Sequence, residues 1–185
     1  MGASYYYFIA SLPMILWDGK LPMSGDEFLS HARRLLAGND FDLVEKLLKG
    51  EEDVKTDNAA ALTWIKFNRN FRNEIAWFRA HRARKDPLKH IRGTYEHEPS
   101  LREAVHEASG MPDLLEAEKL LDQRRWQFLD DLAVGHYFDL EFLICYGLKL
   151  EILERHYEYK SPKGKEVFEG IKAMELPVDW AVSGI

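Results

Sequence analysis

The sequence predicts an all-α, multi-helix fold of about seven helices, because apolar residues recur at steps of three and four in one segment after another. Two further observations agree. Capping residues and breakers punctuate those segments at helix-like intervals. No βα alternation and no set of evenly spaced strand patterns runs along the chain.

The opening Tyr5-Tyr6-Tyr7-Phe8-Ile9-Ala10-Ser11-Leu12 is dense in β-favouring aromatics, yet it suits a buried helix equally. Periodicity does not separate the two in so short a run. Pro13, Gly19 and Pro22 mark an irregular loop through Trp17-Asp18-Gly19-Lys20. Ser24 and Glu27 fit a capping box and open a helix with an inner stripe of Phe28, Leu29, Ala32, Leu35 and Leu36. Gly38 is expected to stop it. A shorter helix runs from Phe41 to Lys49, with Leu43, Val44, Leu47 and Leu48 inward and Gly50 at its end.

Thr56 or Asp57 is expected to cap a long helix reaching Arg84. Its stripe is Trp64, Phe67, Phe71, Ile75 and Phe78, and Asp86-Pro87 breaks it. Ser100 and Glu103, just after Pro99, make a second capping box for a helix ending at Ser109-Gly110. Pro112 takes the first-turn position of a helix to Ala133, carrying Leu114, Leu115, Leu121, Phe128, Leu129 and Leu132, and Gly135 ends it. Asp139 caps the next, Leu140 to Tyr159, lined by Leu143, Tyr146, Leu150, Leu153 and Tyr157, with Glu141 adding favourable charge in its first turn. Ser161-Pro162 opens a short last helix with Val167, Phe168 and Ile171. The reading is a single helical domain over 1–185, allowing two packed subdomains, 1–92 and 99–175, with a loose tail over 175–185.

A chain of 185 residues, 46% hydrophobic, buries about 70% of its unfolded surface, which supports one good core and argues against disorder. Thirty-one acidic against 25 basic residues leave a net charge of −6, so the whole chain is no general polyanion binder. The one cysteine, Cys145, excludes a disulfide framework and a multi-cysteine zinc site. It lies among Leu143, Ile144 and Tyr146, where a buried small hydrophobe is expected rather than a reactive thiol. No apolar run approaches the roughly 20 residues that span a bilayer, and Met1 to Ala10 lacks the positive start of a signal peptide. Direct membrane insertion is not expected.

Catalytic signatures are scarce. The chain contains no G-x-x-x-x-G-K-[ST] phosphate loop, no G-x-G-x-x-G fingerprint and no G-x-S-x-G elbow. Glu103 and His106 form one Glu-x-x-His pair of the kind that di-iron bundles use twice. A second is missing, so a helical metal-dependent enzyme stands only as an alternative, and no cofactor is expected. Arg79, Arg82, Arg84, Lys85, Lys89 and Arg92 gather round the end of the long helix, with Asp86 the one acid among them. Such a cluster suits an acidic protein partner. Phosphates would make the chain a small nucleic-acid adaptor, the other alternative, and last-turn cations also complement a helix dipole. The favoured reading has no nucleic acid.

Arg72 and Arg79, seven residues apart, share one side of the long helix at the edge of its buried stripe. At least one of them is expected to pair with an acid of the 112–133 or 139–159 helices: Glu116, Glu118, Asp122, Asp130, Asp131, Glu141 or Glu151. The candidate interaction residues are thus Arg72, Glu74, Arg79, Arg82, Arg84, Lys85, Asp139 and Glu141.

Three segments together carry a resemblance. Tyr5-Tyr6-Tyr7-Phe8-Ile9-Ala10-Ser11-Leu12-Pro13, followed by Asp18-Gly19-Lys20-Leu21-Pro22, resembles the start of an uncharacterised bacterial family encoded beside V/A-type ATPase genes. Phe71-Arg72-Asn73-Glu74-Ile75-Ala76-Trp77-Phe78-Arg79-Ala80 resembles that family's central helix. Gly135-His136-Tyr137-Phe138-Asp139-Leu140-Glu141-Phe142-Leu143 through Lys149-Leu150-Glu151-Ile152-Leu153-Glu154-Arg155 resembles its C-terminal helix. The Tyr-rich start and the Arg-Asn-Glu helix are also similar to the collar subunit of the V/A-type ATPase, an all-helical, funnel-like piece between the rotating central stalk and the membrane ring. The resemblance implies a short, reduced counterpart of that collar or an assembly companion. Its partners would be V/A-type ATPase subunits, its role collar-like coupling of stalk to ring, and its place cytoplasmic, peripheral to the membrane through the ATPase. It brings no catalytic residues.

Overall fold

Seven α-helices follow one another in residues 2–160, which the computed structural model describes: α1 (Gly2–Ser11), α2 (Gly25–Leu35), α3 (Gly38–Leu48), α4 (Ala59–Arg82), α5 (Pro99–Gly110), α6 (Leu114–Leu132) and α7 (Leu140–Lys160). A single 3-10 turn, Pro87–His90, separates α4 from α5. The described residues hold no strand, so the fold is all-α as the periodicity requires. None of their helices is long and apolar enough to cross a membrane. The expected helix from Ser161 and the tail over 175–185 lie outside the described residues.

Helix α7 is the axle of the packing. Leu143, Ile144, Cys145, Leu148, Leu150, Ile152 and Leu153 are all buried, so its apolar surface runs most of the way round. It can do so because α2, α3, α4 and α6 all pack on it. Tyr157 is the exception: expected inward, it stands exposed past the last packed turn. On one side, Phe28 of α2 has no exposed surface and stacks between Phe8 of α1 and Tyr146 of α7, at 5.5 and 5.6 Å. On the other, Phe67 of α4 lies flat on Phe128 of α6, ring centroids 3.7 Å apart, and α5 packs on both α4 and α6. The buried apolar residues form one cluster from Phe8 to Leu153.

The helix ends depart from expectation in instructive ways. Residues 5–12 are mostly helix, not strand, because Phe8 and Ile9 must both reach the core from one side. Gly38 does not stop α2; it opens α3. Leu36 leaves α2 into extended backbone while its side chain stays buried, and that burial makes the turn. Ser24 does accept the Glu27 amide, at 3.1 Å. Asn58, not Thr56 or Asp57, caps α4 by accepting from the Ala61 amide at 2.9 Å. The capping box at Ser100 does not form: Pro99, with its preset φ, starts α5 one residue earlier, and Ser100 Oγ donates to Glu98 instead. Pro112 stays outside α6, whose cap is Asp113 on the Leu115 amide. Cys145 is buried as expected, its thiol pushed up to about 11 mainly by burial. It is protonated and inert at neutral pH.

Candidate functional site

The residues that the sequence singles out fall at three separate places, and a fourth place stands out only in the structure. The first is the C-terminal end of α4. Arg79, Arg82, Arg84, Lys85 and Lys89 are exposed there, and none pairs with a carboxylate among the described residues. Asp86 does not neutralise them, because its Oδ1 accepts the Leu88 amide and caps the 3-10 turn. The chain leaves α4 through paired bonds, Arg84 N to His81 O at 3.1 Å and Lys85 N to Ala80 O at 2.9 Å. That is a Schellman turn, with Arg84 at its left-handed position, φ +54°. The returning loop is clasped to α4: the buried Asn73 side chain donates to Arg92 O and accepts from Arg92 N, both at 2.9 Å. Gly93, φ +63°, turns the chain beside Arg69, whose Cδ would lie 3.3 Å from an added Cβ. Glu74 completes the clasp from inside. It is buried and accepts the Tyr95 hydroxyl, whose pKa is pushed up to about 12, first by burial and then by that bond. Glu74 is therefore a loop anchor and offers nothing to a partner.

Arg72 stands apart from this end. It pairs with Glu52 of the α3–α4 loop, Nη1 to Oε1 at 2.7 Å, rather than with any acid of α6 or α7. Arg79 has no such acid either, so the expected pairing fails for both. The 49–58 loop lies across that side of α4 and reaches Arg72 first.

The second place is the start of α7. Asp139 accepts the Phe142 amide at 3.0 Å, as expected of a cap, and its other oxygen lies 2.7 Å from His136 Nδ1. Glu141 accepts from the Asn58 side chain at 2.9 Å and so ties the starts of α4 and α7 together. His136, Asp139 and Glu141 bring one ligand atom each within 4.8 Å of one another. The site sits at the positive end of a helix and each carboxylate already holds a donor, which opposes a cation. Glu103 and His106 gather no third ligand among the described residues, and the His106 ring lies edge-on to Phe78. Asp139→Ala should cost about 1 kcal/mol, the worth of a cap, measured as a shift in the urea midpoint at constant slope. An unchanged midpoint would mean that Asp139 does not hold the helix start.

The third place is aromatic. Tyr6 and Tyr7 of α1, with Val134, Tyr137 and Phe138 of the α6–α7 turn, are all exposed, Tyr7 and Val134 by 70% and 77%. Tyr6 and Phe138 pack ring to ring at 5.0 Å, so α1 and the turn share this face.

The fourth place is a buried ion cluster that the sequence does not reveal as a unit. Asp122 of α6 has no exposed surface and receives Arg125 Nη1 at 2.6 Å, Arg155 Nη2 at 2.7 Å and His156 Nε2 at 3.0 Å. The i, i+3 spacing of Asp122 and Arg125 was a legible signal; its burial was not. Beside it an open cleft of about 380 Å³ is lined by Arg72, Arg125, Arg155, Glu151, Glu154 and Glu158 among others. Glu154 serves the fold, accepting the Gly25 amide at the start of α2 at 2.8 Å. Burial first, then the neighbouring Glu154 charge, holds the Glu151 carboxyl above its ordinary value. Nothing in this arrangement points to catalysis.

A family model described as "Protein of unknown function (DUF2764)" matches residues 96–176. The match takes in α5, α6 and α7, hence the Asp122 cluster and the start of α7, and leaves out α1 and the basic end of α4. No curated protein and no solved structure matches the chain.

Proposed function

We propose that the chain is a non-enzymatic helical component or assembly factor of a V/A-type rotary ATPase, contributing a collar-like link between its central stalk and membrane ring. The observation that carries an interaction role is the exposed aromatic face of Tyr6, Tyr7, Tyr137 and Phe138. Tyrosine and phenylalanine are the anchors that buried interfaces favour, and clustered exposure of this kind is costly unless a partner covers it. The resemblance of the Tyr-rich start, the Arg-Asn-Glu helix and the C-terminal helix supplies the partner. The aromatic face draws its rings from two of those three segments.

The test is reconstitution with purified V/A-type ATPase stalk and ring subunits, read by co-elution in size exclusion. The native chain should co-elute. Tyr6→Ser with Phe138→Ser should weaken that association about tenfold or more, as loss of central anchors does, while the thermal midpoint stays within a degree or two because both rings are exposed. Absence of co-elution by the native chain, or undiminished co-elution by the double variant, overturns the proposal.

A further inference from the structure

We infer that the basic end of α4, built from Arg79, Arg82, Arg84, Lys85 and Lys89, is a docking site for an acidic segment of a partner protein. The inference goes beyond the ATPase reading: it uses a different surface and stands whether or not that complex is the partner.

Three observations carry it. The first is charge without compensation. Five cations stand exposed with no carboxylate among the described residues, in a chain whose net charge is −6. Arg79 and Arg82 lie one turn apart on the helix, while Arg84, Lys85 and Lys89 lie past its end and so exceed what the helix dipole would use.

The second is strain at Arg84. The left-handed position of a Schellman turn is ordinarily glycine, because a Cβ there crowds the backbone. Arginine occupies it at φ +54°, and its side chain bonds nothing among the described residues. The fold would be served better by glycine, so the guanidinium is kept for something outside the fold.

The third is pre-organisation. Asp86 caps the 3-10 turn, the Asn73–Arg92 clasp closes the loop, and Tyr95 on Glu74 locks its return. A partner therefore meets charges already in place and spends little ordering them.

The same surface disfavours single-stranded nucleic acid, which needs open ring faces to stack upon. The aromatic side chain nearest these cations, Trp77, is already covered: His81 stacks on it at 5.1 Å, 10° from parallel, and the Arg102 guanidinium lies over it at 5.0 Å. A long polyanion would also run on to a surface that is acidic overall. A short run of glutamate or aspartate meets only the basic end.

The experiment uses the full chain, a fluorescein-labelled glutamate-rich helical peptide, and a labelled oligouridylate of similar charge, read by anisotropy. The peptide should bind at low salt and weaken steeply between about 50 and 200 mM salt. Arg82→Glu with Lys85→Glu should weaken it about tenfold or more, whereas Lys46→Glu with Lys55→Glu, equal charge reversed elsewhere, should change it by less than about twofold. Arg84→Gly should weaken the peptide about threefold while raising the thermal midpoint, a combination that a merely structural arginine does not give. The inference is overturned by no peptide binding at low salt, by equal losses from the two charge-reversed pairs, by tighter binding of the oligouridylate, or by an Arg84→Gly variant that binds as the native chain does or is less stable.

Discussion

Asp122→Ala should cost the fold about 3–5 kcal/mol, the loss expected when one partner of a buried ion pair is removed. The reason lies in what remains. Arg125, mostly buried and seated over the Phe71 ring at 4.3 Å, would keep its charge and lose the carboxylate 2.6 Å away. Arg155 and His156 of α7 would lose their bonds to α6 in the same stroke. Asp122→Asn, which keeps the shape and removes the charge, should lose less. Urea unfolding at neutral pH measures both, and a loss below about 1 kcal/mol for the alanine variant would mean that water replaces the carboxylate.

The same residue sets an acid limit. Burial alone pushes the Asp122 carboxyl up, but the hydrogen bond with His156 and the charges of Arg155 and Arg125 together outweigh it, so the carboxyl titrates below its ordinary value. A carboxyl lowered in the folded state contributes stability that is fully present above its unfolded pKa of about 4 and is lost as pH falls through the folded value. Native stability should therefore drop steeply below about pH 4, and the Asp122→Asn variant should show a flatter acid limb. Parallel acid limbs would exclude Asp122 as the group responsible.

Phe28→Ala should be comparably damaging, about 3–5 kcal/mol, because the cavity opens where three helices meet. Its ring has no exposed surface and separates Phe8 from Tyr146. Gly147 of α7 lies against it so closely that an added Cβ would stand 2.9 Å from Phe28 Cε1 and 3.0 Å from Leu48 Cδ1. In the native background Gly147→Ala should therefore destabilise, overpacking at about 1–3 kcal/mol outweighing roughly 1 kcal/mol of helix propensity. With Phe28→Ala beside it, the same change should become stabilising, since the phenyl edge is gone and the propensity gain remains. A double-mutant cycle reads that change of sign. Simple additivity would show that Leu48, not Phe28, limits the approach.

Much of this architecture was legible because it is local. The helices over 25–35, 59–82 and 140–160 announce themselves in apolar steps of three and four, and the packing of Trp64, Phe67 and Phe71 follows from that spacing. Asp139 as a cap needs only its own helix, and Cys145 is buried because its neighbours are. Candidate surfaces were partly legible for the same reason: Arg79, Arg82, Arg84 and Lys85 are adjacent in the chain and remain together in space. Their freedom from partners was not.

The rest depended on which helices meet. Residues 5–12 suited strand or helix until Phe28 required Phe8 on one face. Thr56, Asp57 and Asn58 were near-equal caps until Glu141, 83 residues on, bonded the Asn58 amide and set the register. Arg72 had acids on two helices to choose from, and the loop carrying Glu52 came nearer than either. Asp122 did find arginines, one three residues away and one 33 residues away. Sequence by itself determined the elements and the faces they bury, because backbone bonds and side-chain spacing within a few residues settle those. Tertiary structure alone decided which charges are paired, which are buried and which are left for a partner, because an ion pair depends on a separation of a few ångströms that only the packing of distant segments creates.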